Sequence, residues 1–152
     1  MNFSFFLKNL SFTIYHYKFL IQSLSFFVLR SYLKTMEDWQ LEFEWLRVRH
    51  IVKDTLKKDT LPDLNLVLLM IGIQELGFWK KNFTKEEKQD LMHIGVCCLL
   101  SDEGYYEFIG RDAESWPLYR QKRRIEIIGE KVQERMLKEK AVLYFKSDDG
   151  NE

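Results

Sequence analysis

Cysteine is almost absent from this chain of 152 residues: there are two, and they are neighbours, Cys97-Cys98. Side chains of adjacent helical residues point about 100° apart, so the pair is poorly placed for a disulfide. A secreted disulfide framework is excluded, and a reducing, cytoplasmic setting is expected. Glycine is sparse too, with Gly77, Gly95 and Gly104 scattered rather than clustered. No Gly-x-Ser-x-Gly elbow, Walker loop or Gly-x-Gly-x-x-Gly turn can be drawn, so the phosphate-cradling and nucleophile-elbow chemistries have no signature here. Charge of one sign is missing as well: 23 basic and 23 acidic side chains cancel.

That balance hides an asymmetry. Residues 1–35 hold Lys8, Lys18, Arg30 and Lys34 and no Asp, Glu, Gly, Ala or Pro. The remaining residues therefore carry 23 − 4 = 19 basic and 23 acidic side chains, a net of −4. A mildly acidic body disfavours strong non-specific binding to nucleic acid, which rests on phosphate neutralisation. The first 35 residues also hold ten of the chain's 23 aromatics. A secretory signal does not fit, because Lys18 divides the apolar stretch and no small-residue cleavage site precedes Met36. A membrane span does not fit either: the longest uncharged run there, Phe19 to Leu29, has eleven residues against the roughly 20 required. Three readings stay open: a basic aromatic segment lying at a membrane surface, translated A/T-rich DNA upstream of a native start at Met36, and a packed helix. The second is the expectation, with one globular domain over 36–146 and a polar tail over 147–152.

With 46% hydrophobic and 30% charged residues, that domain is ordinary soluble protein, long enough for one core without metal or disulfides. Residues 37–58 read as a long amphipathic helix. Trp39, Phe43, Leu46 and His50 repeat at i, i+4, i+7 and i+11, and Leu41, Trp45, Val48 and Val52 repeat it on a neighbouring face. So wide a stripe predicts a helix sandwiched between others. A second helix is expected from Pro62 in its first turn to Leu76, closed by Gly77; its centre LVLLMIGI, residues 66–73, marks the central core element. Thr84-Lys85-Glu86-Glu87 is a capping box that starts a third helix running to about Leu100 and burying Leu91, Met92, Val96, Cys98 and Leu99. Tyr105 to Ile109 alternates like a strand, and Trp116 to Gln121 pairs back as an edge strand because Pro117 lacks an amide donor. A last helix begins between Ile125 and Glu130 and ends near Phe145, with Ile128, Val132, Met136 and Leu143 as its inner stripe. The fold class is mainly α (α+β): about four helices with a hairpin in the C-terminal half, preceded by an apolar N-terminal segment.

Chemistry-bearing residues are few. His93 and Cys97 stand at i and i+4, a spacing that can bring two metal ligands together. A closed site needs two more, and only His50 and Cys98 are of matching type, so core packing is expected and no metal or cofactor. Asp102, Glu103, Glu107 and Asp112 cluster in sequence around the hairpin and read as a solvated rim. Pro62-Asp63 followed by Glu75 lacks the lysine two residues on that a nuclease carboxylate pattern has. No catalytic residue is assigned.

Two surface groupings are left. Arg111, Asp112, Trp116 and Pro117 combine the residue types enriched at binding hot spots. Arg120, Lys122, Arg123 and Arg124 form the densest basic cluster and, with Lys85 and Lys88, could contact phosphate. The stretch LLSDEGYYEFIGRDAESWPLYRQ resembles the passage from recognition helix into wing of bacterial winged helix-turn-helix regulators. The resemblance covers about residues 62–124 and implies duplex DNA as a partner. Against it, the helix starting KEEKQD carries three acids where a groove-reading helix favours Arg, Asn or Gln. The leading expectation is thus a non-catalytic interaction or adaptor module that contacts a protein partner through the hairpin tip. A winged-helix DNA-binding regulator is the alternative, and a protein anchored to membrane by residues 1–35 the second.

Overall fold

The computed structural model describes residues 28–31, 34–126 and 129–148. Contacts divide the chain into two compact units, Met1–Gln40 and Leu41–Glu152. In the first, residues 28–31 and 34–40 are helical; the rest of the basic aromatic segment, and with it the membrane-surface reading, lies outside the described residues. Among the described residues no helix is long and apolar enough to cross a membrane.

Four helices and a two-stranded antiparallel hairpin make up the described structure: α1 (residues 34–55), α2 (Leu64–Leu76), α3 (Lys85–Ser101), β1 (Tyr106–Arg111), β2 (Pro117–Gln121) and α4 (Glu130–Asp148). α1 buries Trp45, Val48 and Val52, with Leu41 and Ile51 packed on the same core. Its other stripe stays in water: Phe43 and Leu46 are 64% and 42% exposed, and His50 is exposed too. The two stripes are offset by two residues, about 200° of helical rotation. They therefore occupy nearly opposite faces, not neighbouring ones, and within Leu41–Glu152 only one is covered. Within that unit the helix is not sandwiched.

α1 stops three residues earlier than expected, because Lys57 takes a left-handed conformation (φ 51°). The Lys58 amide then reaches the Lys53 carbonyl (3.0 Å), a reversal usually made with glycine. Arg49 Nε donates to the Pro62 carbonyl (2.7 Å), folding the connector back onto α1. Pro62 itself is buried just ahead of α2 rather than inside its first turn. The true N-cap is Asp63, whose carboxylate accepts from the Leu66 amide (2.9 Å). Gly77, at φ 82°, ends the helix by donating to the Ile73 carbonyl.

α3 opens on the expected capping box: Glu87 N–H donates to Thr84 Oγ1 (3.2 Å) and Thr84 N–H to Glu87 Oε2 (2.8 Å). Lys80 pairs with the same carboxylate at 2.6 Å. Together the Lys80 hydrogen bond and the Thr84 amide hold the Glu87 carboxyl below its ordinary pKa. Leu91, Ile94, Gly95, Cys97, Leu99 and Leu100 are buried, while Met92, Val96 and Cys98 are half-buried. α3 thus has a broader inner face than its apolar spacing predicts, because α2 crosses it very closely. A Cβ built on Gly72 would sit 1.9 Å from the Leu91 carbonyl oxygen, and one on Gly95 2.4 Å from that of Leu68.

α4 is rotated from its expected phase. Ala141, Val142 and Phe145 enter the core with α1 and α2, whereas Val132 and Leu143 are exposed; Ile128 lies outside the described residues. Leu137 and Tyr144 pack on the same core, so the inner stripe runs Leu137, Ala141, Tyr144 and Phe145, with half-buried Lys138 beside it. Its ammonium stands 5.8 Å from the centre of the Trp45 ring. The helix continues to Asp148, so residues 147–148 are not tail. A second core cluster, Ile73, Leu76, Leu91 and Ile94, fills the space between α2 and α3. Leu69, Phe83, Trp116 and Tyr119 pack against it, and this cluster seats the hairpin.

Candidate interaction surface on the hairpin

The hairpin follows α3 without a linker. Gly104, at φ 73°, turns the chain, and the Tyr105 amide still bonds to the Leu100 carbonyl (3.2 Å). β1 and β2 pair Tyr106 with Gln121, Glu107 with Arg120 and Phe108 with Tyr119; after a bulge at Ile109 the register resumes with Gly110 opposite Leu118. Gly110 has φ 125°, a value that favours glycine, so the bulge is written into the sequence at that position.

The tip is fixed by two side chains. Asp112 Oδ1 accepts from the amides of Glu114 (2.9 Å) and Trp116 (2.8 Å), closing the turn as an Asx motif. Arg111 reaches further. Nη1 donates to the Leu76 carbonyl (3.0 Å) and the Ser115 carbonyl (2.7 Å), and Nη2 donates to the Glu75 carbonyl (2.8 Å). One guanidinium therefore binds the last carbonyls of α2 and the far side of its own turn. A cation at a helix C-terminus also offsets the dipole. Trp116 is half-buried on the second core cluster and Pro117 is buried. Of the four residues expected as a contact surface, Trp116 and Pro117 turn inward, while Arg111 and Asp112 are exposed with part of their hydrogen-bonding capacity used by the turn and the end of α2.

Exposed large apolar side chains on this element are Phe108, Ile109 and Leu118, at 52%, 51% and 41%. Phe108 meets Tyr119 edge-on, with ring centres 5.7 Å apart. Beside them Glu107 pairs with Arg120 (2.8 Å) and Lys122 (3.5 Å), and these two cations lower its carboxyl pKa. Arg123 lies over the Tyr105 ring, 4.3 Å from its centre, and donates to the Glu103 carbonyl. Arg124 is exposed. Lys85 and Lys88 are exposed at the opposite end of α3 from this cluster, roughly 20 Å away along the helix axis. The basic residues expected to contact phosphate are not brought into one patch.

Behind the hairpin lies a polar network that sequence spacing does not reveal. Tyr144 of α4 donates its hydroxyl to Glu75 Oε1 (2.9 Å). The Cys98 thiol and the Tyr119 hydroxyl lie near the same Glu75 carboxylate, which disfavours ionisation of both. A groove of about 430 Å³ opens beside it, lined by Cys98, Leu99, Asp102, Lys140, Leu143, Tyr144 and Ser147. Burial, then the neighbouring Glu75 carboxylate, push the Cys98 thiol up to about 12; burial alone pushes Cys97 up to about 11. Burial also raises the Tyr119 hydroxyl. All three groups are protonated near neutral pH and serve as hydrogen-bonding atoms, not nucleophiles. Alkylation of Cys98 by iodoacetamide at pH 7.5 is therefore expected to be roughly a thousandfold slower in the folded than in the denatured protein, and still rising with pH at pH 10. Equal rates in the two states would remove this account of the thiol.

The remaining candidates separate. Cys97 Sγ is 3.5 Å from His93 Nε2, and the His93 ring meets Tyr106 edge-on. Among the described residues no three His, Cys, Asp or Glu gather into a metal site. Asp63 and Glu75 stand at opposite ends of α2, about 18 Å apart along its axis. Asp102 caps α3, Glu103 pairs with Lys140, and Glu107 and Asp112 are occupied as described. Compared with family models, curated proteins and solved structures, the chain matches none.

Proposed function

We propose that this protein is a non-catalytic interaction module that binds a protein partner through the solvent face of its hairpin. One observation carries the reading. A hairpin bolted to the end of α2 by two Arg111 hydrogen bonds nevertheless leaves Phe108, Ile109 and Leu118 in water. Rigid apolar side chains beside a charged rim lose little conformational entropy on binding, which is how contact surfaces gain affinity. The protonated thiols Cys97 and Cys98 add no nucleophile to compete with it. Within this reading Arg111, Asp112, Trp116 and Pro117 hold the surface in shape and the bulge residues make the contact. A duplex-DNA partner has only the helix-then-hairpin order in its favour, since Arg120 and Lys122 are ion-paired and Lys85 and Lys88 lie at the far end of α3.

The test uses the full chain as bait, beside Ile109→Glu and Leu118→Glu. Both sites are exposed, so both variants are expected to unfold at the wild-type denaturant midpoint. A partner retained by wild type, then purified, is expected to bind each variant at least about 30-fold more weakly, the loss of one hot spot. Equal affinity for wild type and both variants would sink the assignment.

A further inference from the structure

α1 is an apolar helix with one face too many. Trp45, Val48 and Val52 satisfy the fold, yet on the opposite side Phe43 and Leu46 stand 64% and 42% in water. With His50 they follow a spacing of three and four residues, that of the a and d positions of a heptad: Phe43 at a, Leu46 at d, His50 at a. Exposed large residues scattered over a surface are ordinary; a seam of them in heptad register is a helix-pairing surface.

We propose that this face of α1 pairs with the same face of a second copy, antiparallel and about a two-fold axis. Charge decides both occupant and direction. In this register Glu42 and Arg49 take g positions flanking the Phe43–Leu46 core. In an antiparallel pair Phe43 meets the partner copy's Leu46, and g faces g. Each Glu42 carboxylate then faces the other copy's Arg49. Glu42 is exposed and has no ion pair among the described residues. Arg49 is held in place through Nε by the Pro62 carbonyl, which leaves the far end of its guanidinium for a carboxylate. A parallel pair would instead need Arg47 at e, and Arg47 is already bonded to Glu44 at 3.3 Å. A two-fold pair makes both contacts twice from one patch, as a self-complementary surface requires.

Sedimentation equilibrium of the full chain at about 100 μM, where an interface of micromolar affinity is populated, tests this. The expected mass is twice the chain mass of 18.4 kDa. Leu46→Glu and Phe43→Gln are expected to return it to the monomer mass, and to unfold at the wild-type midpoint when all are measured well below the dissociation constant, because neither side chain is buried in Leu41–Glu152. Glu42→Lys, which sets lysine against Arg49, is expected to weaken association about tenfold. A monomeric wild type overturns the proposal, as does a dimer that survives both core variants. A dimer indifferent to Glu42→Lys overturns the antiparallel register. Hairpin variants leave the mass unchanged, so this pairing and the partner surface fail or stand separately.

Discussion

Gly72→Ala is expected to destabilise the protein by about 3 kcal/mol or more, and Gly95→Ala by a similar amount, although alanine is the better helix former. In an exposed helix interior the same exchange stabilises by up to about 1 kcal/mol. Here the sign reverses because the new methyl meets backbone. Its carbon would lie 1.9 Å from the Leu91 carbonyl oxygen at position 72, and 2.4 Å from that of Leu68 at position 95. A carbonyl belonging to the opposite helix cannot rotate aside as a side chain can. The helices must part by about 1 Å or more to restore ordinary contact, which opens the packing of Val67, Leu68, Ile71 and Leu91 along the seam. Overpacking of this kind typically costs about 1–3 kcal/mol, and more when rigid elements must move. Gly77→Ala is the control. Nothing lies within 4 Å of its added Cβ, and φ 82° leaves only the left-handed penalty, of order 1 kcal/mol. Urea unfolding followed by circular dichroism reads all three. A neutral or stabilising change at Gly72 or Gly95 would show that α2 and α3 do not cross at these residues.

That crossing also marks the boundary of what local sequence conveys. The capping box at Thr84 and Glu87, the stop at Gly77 and the alternation into a hairpin are contracts between residues a few positions apart, and each is legible in the amino-acid order alone. Gly72 and Gly95 are different: nothing in either helix by itself says that its glycine faces the other's backbone. The shifted phase of α4 is a choice between two apolar stripes: Leu137, Ala141, Tyr144 and Phe145 repeat at helical spacing as Val132, Met136 and Leu143 do, and only packing on the core decides between them. On α1 the spacing shows two stripes, and their offset of two residues already places them nearly opposite, so the expectation of adjacent faces fails on helix geometry alone. The side chains at the hairpin are legible as a grouping and illegible as to direction. Arg111, Asp112 and Trp116 have the composition of a contact surface; Trp116 packs on the second core cluster, while Arg111 and Asp112 stay exposed and bond to the end of α2 and to the turn.

Arg111→Ala is therefore expected to cost about 2 kcal/mol of stability rather than to act on binding alone. The substitution leaves the carbonyls of Glu75, Leu76 and Ser115 without their donor. Hydrogen bonds to a charged group contribute about 1.5–3 kcal/mol each when buried. Only the bond to Leu76 is partly buried, and water can replace the two exposed ones at little cost. The favourable meeting of a cation with a helix C-terminus, about 0.3–1 kcal/mol, is lost as well. Arg111→Lys is expected to recover less than half, because an ammonium cannot span three carbonyls in the plane that the guanidinium fork serves. The damage should also be local: hydrogen exchange is expected to speed up at the Trp116 amide and the last turn of α2, and to leave the Thr84 end of α3 unchanged. A residue whose business was the partner alone would behave in the opposite way, with an unfolding midpoint indistinguishable from wild type and only partner affinity reduced. That second outcome would move the contact surface from Ile109 and Leu118 back to the hairpin tip.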